Sequence, residues 1–255
     1  PGRGADVPKG HFAKLRKDLL QVVLVCDRYS AYKSLALACE ELILAFCWAH
    51  VRRDFLKAAR SWPELERWMF TWVDDIRELY RLNAARLKQW DKQLPLDQQS
   101  SAFAQSHRAL KTKLGEMQER CETHLREPEL HLAKQKVLSS LQNHWDGLTV
   151  FVTRPEVAMD NNTAERILRN PVVGRKNYYG SGSVWSAHLA AMMFSVIQTV
   201  LLWGLNPHHW LHAFLQACAD NGGQSPPDLS VFLPWQMTPE RREALARPVP
   251  VTCPP

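Results

Sequence analysis

Two short apolar runs near the start of the chain, "LLQVVLVCD" (19–27) and "LILAFCW" (42–48), constrain the fold more than any other feature. Each has the length of a strand, is rich in Val, Ile and Leu, and lacks the polar alternation of a sheet face open to water. Between them "RYSAYKSLALACEE" reads as a helix, and "AHVRRDFLKAAR" continues as another after the second run. The order strand, helix, strand, helix implies a parallel α/β arrangement. The first run stops at Asp27, at the C-terminal edge of a buried strand, where such folds place ligands and chemistry. An aspartate there also starts turns and caps helices, and "DRYSAYK" allows that reading too.

From Ser61 the pattern changes. Ser61 with Glu64 three residues on, and Pro63 between them, gives a capping-box start. Leu65, Trp68, Met69, Trp72, Ile76, Leu79, Leu82 and Leu87 then recur at helical spacing. A second long helix is predicted over about 98–126, through Phe103, Leu110, Leu114, Met117, Cys121 and Leu125, and a third from Pro128 to about Trp145. Residues 61–146 thus form a helical insertion, with 1–60 before it, 147–205 after it and a helical, Pro-rich 206–255 closing the chain. The apolar stretch 184–203, interrupted by Ser195 and Gln198 and closed by Gly204, predicts a buried core helix rather than a membrane span. Asn206 and Pro207 then open a helix that Asn221 and Gly222 stop.

The next constraint is "MDNNTAERILRNPVVGRKNYYGSGS" (159–183), which sets a lone Glu165 among Arg166, Arg169, Arg175 and Lys176. Asn162 and Glu165 alone make a capping box, and Glu165 with Arg169 a surface i,i+4 pair. Together with Asp27, Glu165 also suits a divalent cation, since magnesium takes hard oxygen ligands and leaves positions for phosphate oxygens. The basic run, above all Arg175 and Lys176, would then hold a nucleic-acid backbone, with Tyr178 and Tyr179 packing on sugars or unpaired bases. The formal net charge of +6 is compatible with a polyanionic partner. Cys47 with His50 gives two of the four ligands a structural zinc needs, so Cys47 is assigned to the core, and His50 to a hydrogen bond near the site or a helix start. His208, His209 and His212 share a helix without an intervening Glu and predict no metal. The six cysteines follow no disulfide rhythm, which points to a reducing compartment.

The blocks "VCDRYSAYK", "FCWAHVRRDF", "MDNNTAERILRNPVVGRKNYYGSGSVWSA", "GLNPHHWLHAFLQACADNG" and "LPW" resemble, in that order, bacterial insertion-sequence transposases of the IS66 family, over about residues 5–235. The resemblance implies a partial ribonuclease-H-like α/β core, interrupted by the helical insertion and followed by a helical C-terminal extension. It implies a DDE triad of acidic metal ligands, with Asp27 matching the second Asp and Glu165 the final Glu. Asp160, Asn161 and Asn162 match the family's "DNN", which with His50 shapes the site; Arg169, Arg175, Lys176 and Asn177 fall in the adjoining family block and, with Arg166 and Tyr178, are the expected DNA contacts. The implied cofactor is Mg2+ or Mn2+, and the implied partners are element-end and target DNA, accessory proteins of the same element, and further copies on DNA. The implied setting is the bacterial cytoplasm at the nucleoid, with no membrane. The first Asp of the triad has no match, since Asp6 and Asp18 lie in the wrong context, and the opening is "PGRGADVPKG" rather than Met. The expectation is therefore the C-terminal part of a transposase, inactive alone, that in the intact enzyme cleaves and transfers DNA strands. The alternative expectation is a non-catalytic DNA-binding or assembly remnant.

Overall fold

The computed structural model describes residues 21–246 together with Lys9, Gly10 and Phe12. Leu19 and Leu20 of the first predicted strand, Asp6, Asp18 and Cys253 lie outside the described residues. Two compact units divide the chain, Pro1–Thr163 and Ala164–Pro255.

In the first unit, strand β1 (Val22–Cys26) and strand β2 (Leu42–Phe46) pair in parallel, with Val22 opposite Leu42 and Cys26 opposite Phe46. Helix α1 (Ser30–Leu37) is the crossover between them, as a parallel pair requires. Helix α2 (Trp48–Ser61) leaves β2 directly. The fold is mixed α/β, mostly helical around this two-stranded sheet.

Residues 61–146 supply helix α3 (Glu66–Leu87), helix α4 (Ser101–Leu125) and helix α5 (Leu132–Gln142). Their apolar stripes do not close on themselves. Trp48, Val51, Phe55 and Ala59 of α2 share one core with Met69, Trp72, Ile76 and Leu79 of α3, Leu110, Leu114 and Met117 of α4, and Leu138 and Leu141 of α5. Phe55 stacks on Trp72, with centroids 5.5 Å apart. Between α3 and α4, Asp75 takes Lys113 Nζ at 2.6 Å and pairs with Arg120, whose guanidinium lies 4.0 Å above the Trp72 ring.

Three boundaries differ from the sequence reading. Helix α2 runs through Ser61, and Pro63–Leu65 is a separate 3-10 turn with no side-chain cap at its start. The α2 stripe from Trp48 to Ala59 packs on α3 and carries the helix past the capping signal. The predicted third helix is two: after α5 the chain turns at Asn143–His144 and helix α6 (Trp145–Thr153) begins. Gly147 lets α6 lie on the sheet; a Cβ there would meet the Phe46 ring at 2.4 Å and the Leu44 carbonyl oxygen at 2.9 Å. The other end of α6 is held by Arg86, wholly buried, whose Nη2 and Nη1 donate to the Phe151 and Val152 carbonyls at 2.8 and 3.0 Å. A cation on the terminal carbonyls of a helix satisfies groups that have no partner within the helix. Burial lowers the Arg86 pKa to about 10, which leaves it charged at neutral pH.

Helix α7 (Asn162–Tyr178) begins in the first unit and continues into the second. The second unit adds helix α8 (Val184–Leu202), helix α9 (Pro207–Asp220) and helix α10 (Pro239–Ala244). Ser183 and Ser186 form a reciprocal capping box for α8, and Gly204 at φ 73 ends it. As predicted, Asn206 caps α9 by accepting from the His208 amide at 2.9 Å. A small cluster of Val200, Leu205, Met237 and Leu245 holds these helices, beside Trp210, Phe214 and Phe232. The expectation of a buried helix over 184–203 is overturned: Val200 is its one buried side chain, and Val184 and Trp185 are 76% and 74% exposed. Apolar residues run round the whole helix, and the local cluster covers only its C-terminal end. By length and composition alone α8 is also long and apolar enough to cross a bilayer.

Candidate functional site

Asp27 follows β1 directly and is half-buried. Its Oδ1 accepts the Tyr29 amide at 3.0 Å, a turn that starts α1 two residues on. The turn reading of Asp27 therefore holds for one oxygen, while Tyr29 rather than Asp27 stands at the helix cap position. Its charge is felt next door: Cys26 is pushed up to about 12 by burial first and then by Asp27. Tyr32 is likewise raised by burial and then by Asp27.

The neighbouring strand end belongs to the "FCWAH" block. The Cys47 amide donates to the Cys26 carbonyl at 3.0 Å, which continues the ladder one step beyond β2 and fixes His50 in the first turn of α2. Cys47 is fully buried, as its assignment to the core expected, and burial raises its thiol. The Trp48 indole donates to the Leu148 carbonyl at 2.8 Å, tying α2 to α6.

The third block comes alongside from more than a hundred residues away. The Trp48 amide donates to the Met159 carbonyl at 2.9 Å, and the Asn161 backbone hydrogen-bonds the Cys47 sulfur. Asp160 is occupied on both oxygens: Oδ1 accepts the Asn162 amide at 3.0 Å and Oδ2 the Tyr80 hydroxyl at 2.9 Å. The Tyr80 hydroxyl is raised by burial and by this bond, so it stays a donor. Asp160 thus starts α7 and fastens that start to α3. The blocks around Asp27, Cys47–His50 and Met159–Asn162 meet at one sheet edge of the first unit.

The remaining residues of the sequence reading lie in the second unit. Glu165 is in the first turn of α7, half-buried, and Arg166 and Arg169 follow it exposed. The helix passes through Pro171, so "GRKNY" is its C-terminal end, with Arg175, Lys176 and Asn177 exposed there. Cations at that end complement the helix dipole. Tyr178 ends the helix, and Tyr179 follows in the left-handed region at φ 58, 97% exposed. Among the described residues no three His, Cys, Asp or Glu side chains stand together as a cation site. Sequence reasoning missed Tyr80, Arg86 and Gly147; only Gly147, a helix-breaking residue in an apolar run, left a local trace.

The family model described as "Transposase IS66 family" matches residues 1–189. Three proteins of Sinorhizobium fredii (strain NBRC 101917 / NGR234), each named only as uncharacterized, are similar to the chain. The one designated y4jD is 28% identical over 84% of this chain and 40% of its own length. The one designated y4hP is 25% identical over 84% and 39%, and y4qI is 26% identical over 94% and 42%. The chain thus spans about two fifths of the length of these relatives. No solved structure matches. With the family match covering most of its length, and the matched region holding the three blocks that meet at the sheet edge, the chain belongs to the IS66 transposase family.

Proposed function

We propose that the chain carries part of the catalytic region of a DDE transposase, which cleaves DNA at element ends and transfers the freed strand to a target. The observation that carries this reading is the junction of three sequence-distant blocks at the C-terminal edge of β1 and β2, inside the family match. We read β1, α1 and β2 as part of a ribonuclease-H-like core, and Asp27 and Glu165 as two of its acidic ligands.

Both are hard oxygen donors of the kind magnesium or manganese takes. Bound divalent cations supply charge stabilisation for the attacking and leaving oxygens of a phosphodiester. The chain's own part is to present ligands and DNA contacts from fixed backbone. Asp27 is oriented by its turn to Tyr29. Asp160, held by Tyr80, accepts the Asn162 amide at the start of α7, the helix that carries Glu165. Exposed Arg166, Arg169, Arg175, Lys176 and Asn177 offer charge-assisted bonds to the phosphate backbone. The reading carries with it DNA as partner, assembly of several copies on DNA, and a cytoplasmic setting.

The test is substitution in the full-length transposase. Asp27→Asn and Glu165→Gln keep side-chain size and remove charge, so transposition and magnesium-dependent nicking of element-end DNA should be lost while DNA affinity is retained. Wild-type transposition by either variant would overturn the proposal in favour of a non-catalytic DNA-binding or assembly role.

A further inference from the structure

On the first unit, between α2 and α5, lies a groove of 420 Å3 that no motif of the sequence marks. Its floor is apolar, made by Ala58, Ala133 and Val137. Lys57 from α2 and Lys136 from α5 line it, both exposed, and neither has an ion-pair partner among the described residues. Trp62 stands at one end, 44% exposed and edge-on to His131 at 4.8 Å. At the other end Asp54 and Ser140 are both held by Arg28, which donates to Ser140 Oγ at 2.8 Å and pairs with Asp54.

The charges decide what the groove attracts. Asp54 is neutralised by Arg28, leaving the two lysines unbalanced, while the hydroxyls of Ser61 and Ser140 add hydrogen-bonding groups. Two unpaired ammonium groups over an apolar floor, with an indole at one end, are the elements of a single-strand site: cations track the backbone and a base packs on the aromatic face. The volume is on the scale of a small-ligand pocket. It suits a nucleotide or two and not a duplex, whose stacked bases offer no free face. Arg28, which anchors the inner end through Asp54 and Ser140, is the residue after Asp27.

We propose that this groove binds a single-stranded segment of DNA, with phosphates on Lys57 and Lys136 and a base on Trp62. The choice of DNA as ligand rests on the transposase reading above. The geometry makes the insertion one wall of the DNA path, since α5 contributes Lys136 and α2 contributes Lys57.

The test measures binding without chemistry: fluorescence anisotropy of a labelled ten-nucleotide oligothymidylate and of a blunt duplex, in chelator, across a salt series, on the full chain. The double variant Lys57→Glu, Lys136→Glu should weaken single-strand binding at least tenfold. The slope of log affinity against log salt should fall by about 1.4, from two phosphate contacts at about 0.7 each. Trp62→Ala should weaken it roughly five- to a hundredfold, and Lys57→Arg, Lys136→Arg should retain it. Duplex affinity should change less than single-strand affinity in every case. Unchanged single-strand affinity and slope in the charge-reversed protein would overturn the proposal, as would equal losses for both ligands. Because no cation or cleavage enters, failure here leaves the Asp27 and Glu165 test untouched, and failure there leaves this one standing.

Discussion

Replacing Gly147 by alanine tests how tightly α6 is seated on the sheet. In an open helix position this change stabilises, because glycine costs about 1 kcal/mol relative to alanine. At Gly147 the new methyl would stand 2.4 and 2.7 Å from two carbons of the Phe46 ring and 2.9 Å from the Leu44 carbonyl oxygen. Ordinary carbon contacts begin near 3.4 Å, so the ring would have to retreat by 3.4 − 2.4 = 1.0 Å. It has little room, since the His144 ring lies edge-on at 5.1 Å. The Leu44 oxygen cannot yield at all without moving β2 against β1. Overpacking of this kind costs about 1–3 kcal/mol, and a backbone clash puts it at the upper end. Net of the helix gain, Gly147→Ala should destabilise by about 2 kcal/mol, or roughly 4–8 °C in Tm for a chain of this length. Gly115, on the exposed face of α4 with nothing within 4 Å, is the internal control. Gly115→Ala should raise Tm by about 2 °C, from roughly 0.5–1 kcal/mol. Thermal denaturation followed by circular dichroism on the two single variants reads both signs. A Gly147→Ala protein melting at or above wild type would refute the packing argument, since the two glycines would then be equivalent.

Two further outcomes are expected. Tyr80→Phe removes the hydroxyl on Asp160 but keeps the ring; it should cost roughly 1–2 kcal/mol and speed hydrogen exchange at the Asn162 amide, which Asp160 accepts. Unchanged exchange there would show that Tyr80 does not hold the start of α7. His144 is pulled below the usual histidine range by burial first, against the Ser140 carbonyl it faces at 2.6 Å, with Lys33 and Arg28 adding repulsion. Burial lowers His107 and His124 too. The unfolded chain therefore binds more protons below about pH 6.5, so stability is full above that pH and falls as pH drops through the lower folded values. Tm should decline from pH 6.5 to 5, above the range of the carboxylates, and His144→Asn should flatten the slope; a slope identical to wild type would exclude His144 as a contributor.

How far the sequence carried the reading depended on whether the cause was local. The strands were legible because Val22–Cys26 and Leu42–Phe46 are β-branched and aliphatic runs of strand length, and α3 and α4 because their stripes recur every three or four residues. The start signal at Ser61 misled because tertiary packing of Phe55 and Ala59 outweighed a cap. Arg86 was illegible for a physical reason: its position reads as an exposed charged residue, and the carbonyls that bury it are 65 and 66 residues away. In α8 the composition announced an apolar helix but carried no information on what covers it. Within the candidate site, Asp27 and the Asp160 block stood out as residue types, whereas the bonds that join their strands to one edge run through backbone amides of Cys47 and Trp48 and left no trace in the side chains.

Those missed contacts give helix α3 a role beyond adding to the core. Tyr80 and Arg86 lie six residues apart on α3, and both face the segment that leads from α6 to α7: Arg86 binds the carbonyls at 151 and 152, and Tyr80 binds Asp160. Between these two holds, Val157 and Met159 are buried in the core that α3 shares with α2 and the sheet. The segment cannot shift along its length without breaking a charged contact at one end or a buried hydroxyl bond at the other, each worth roughly 1–3 kcal/mol. Helix α3 therefore sets the register of the loop that starts α7 in the same way that Cys47 and Trp48 set its distance from the strands.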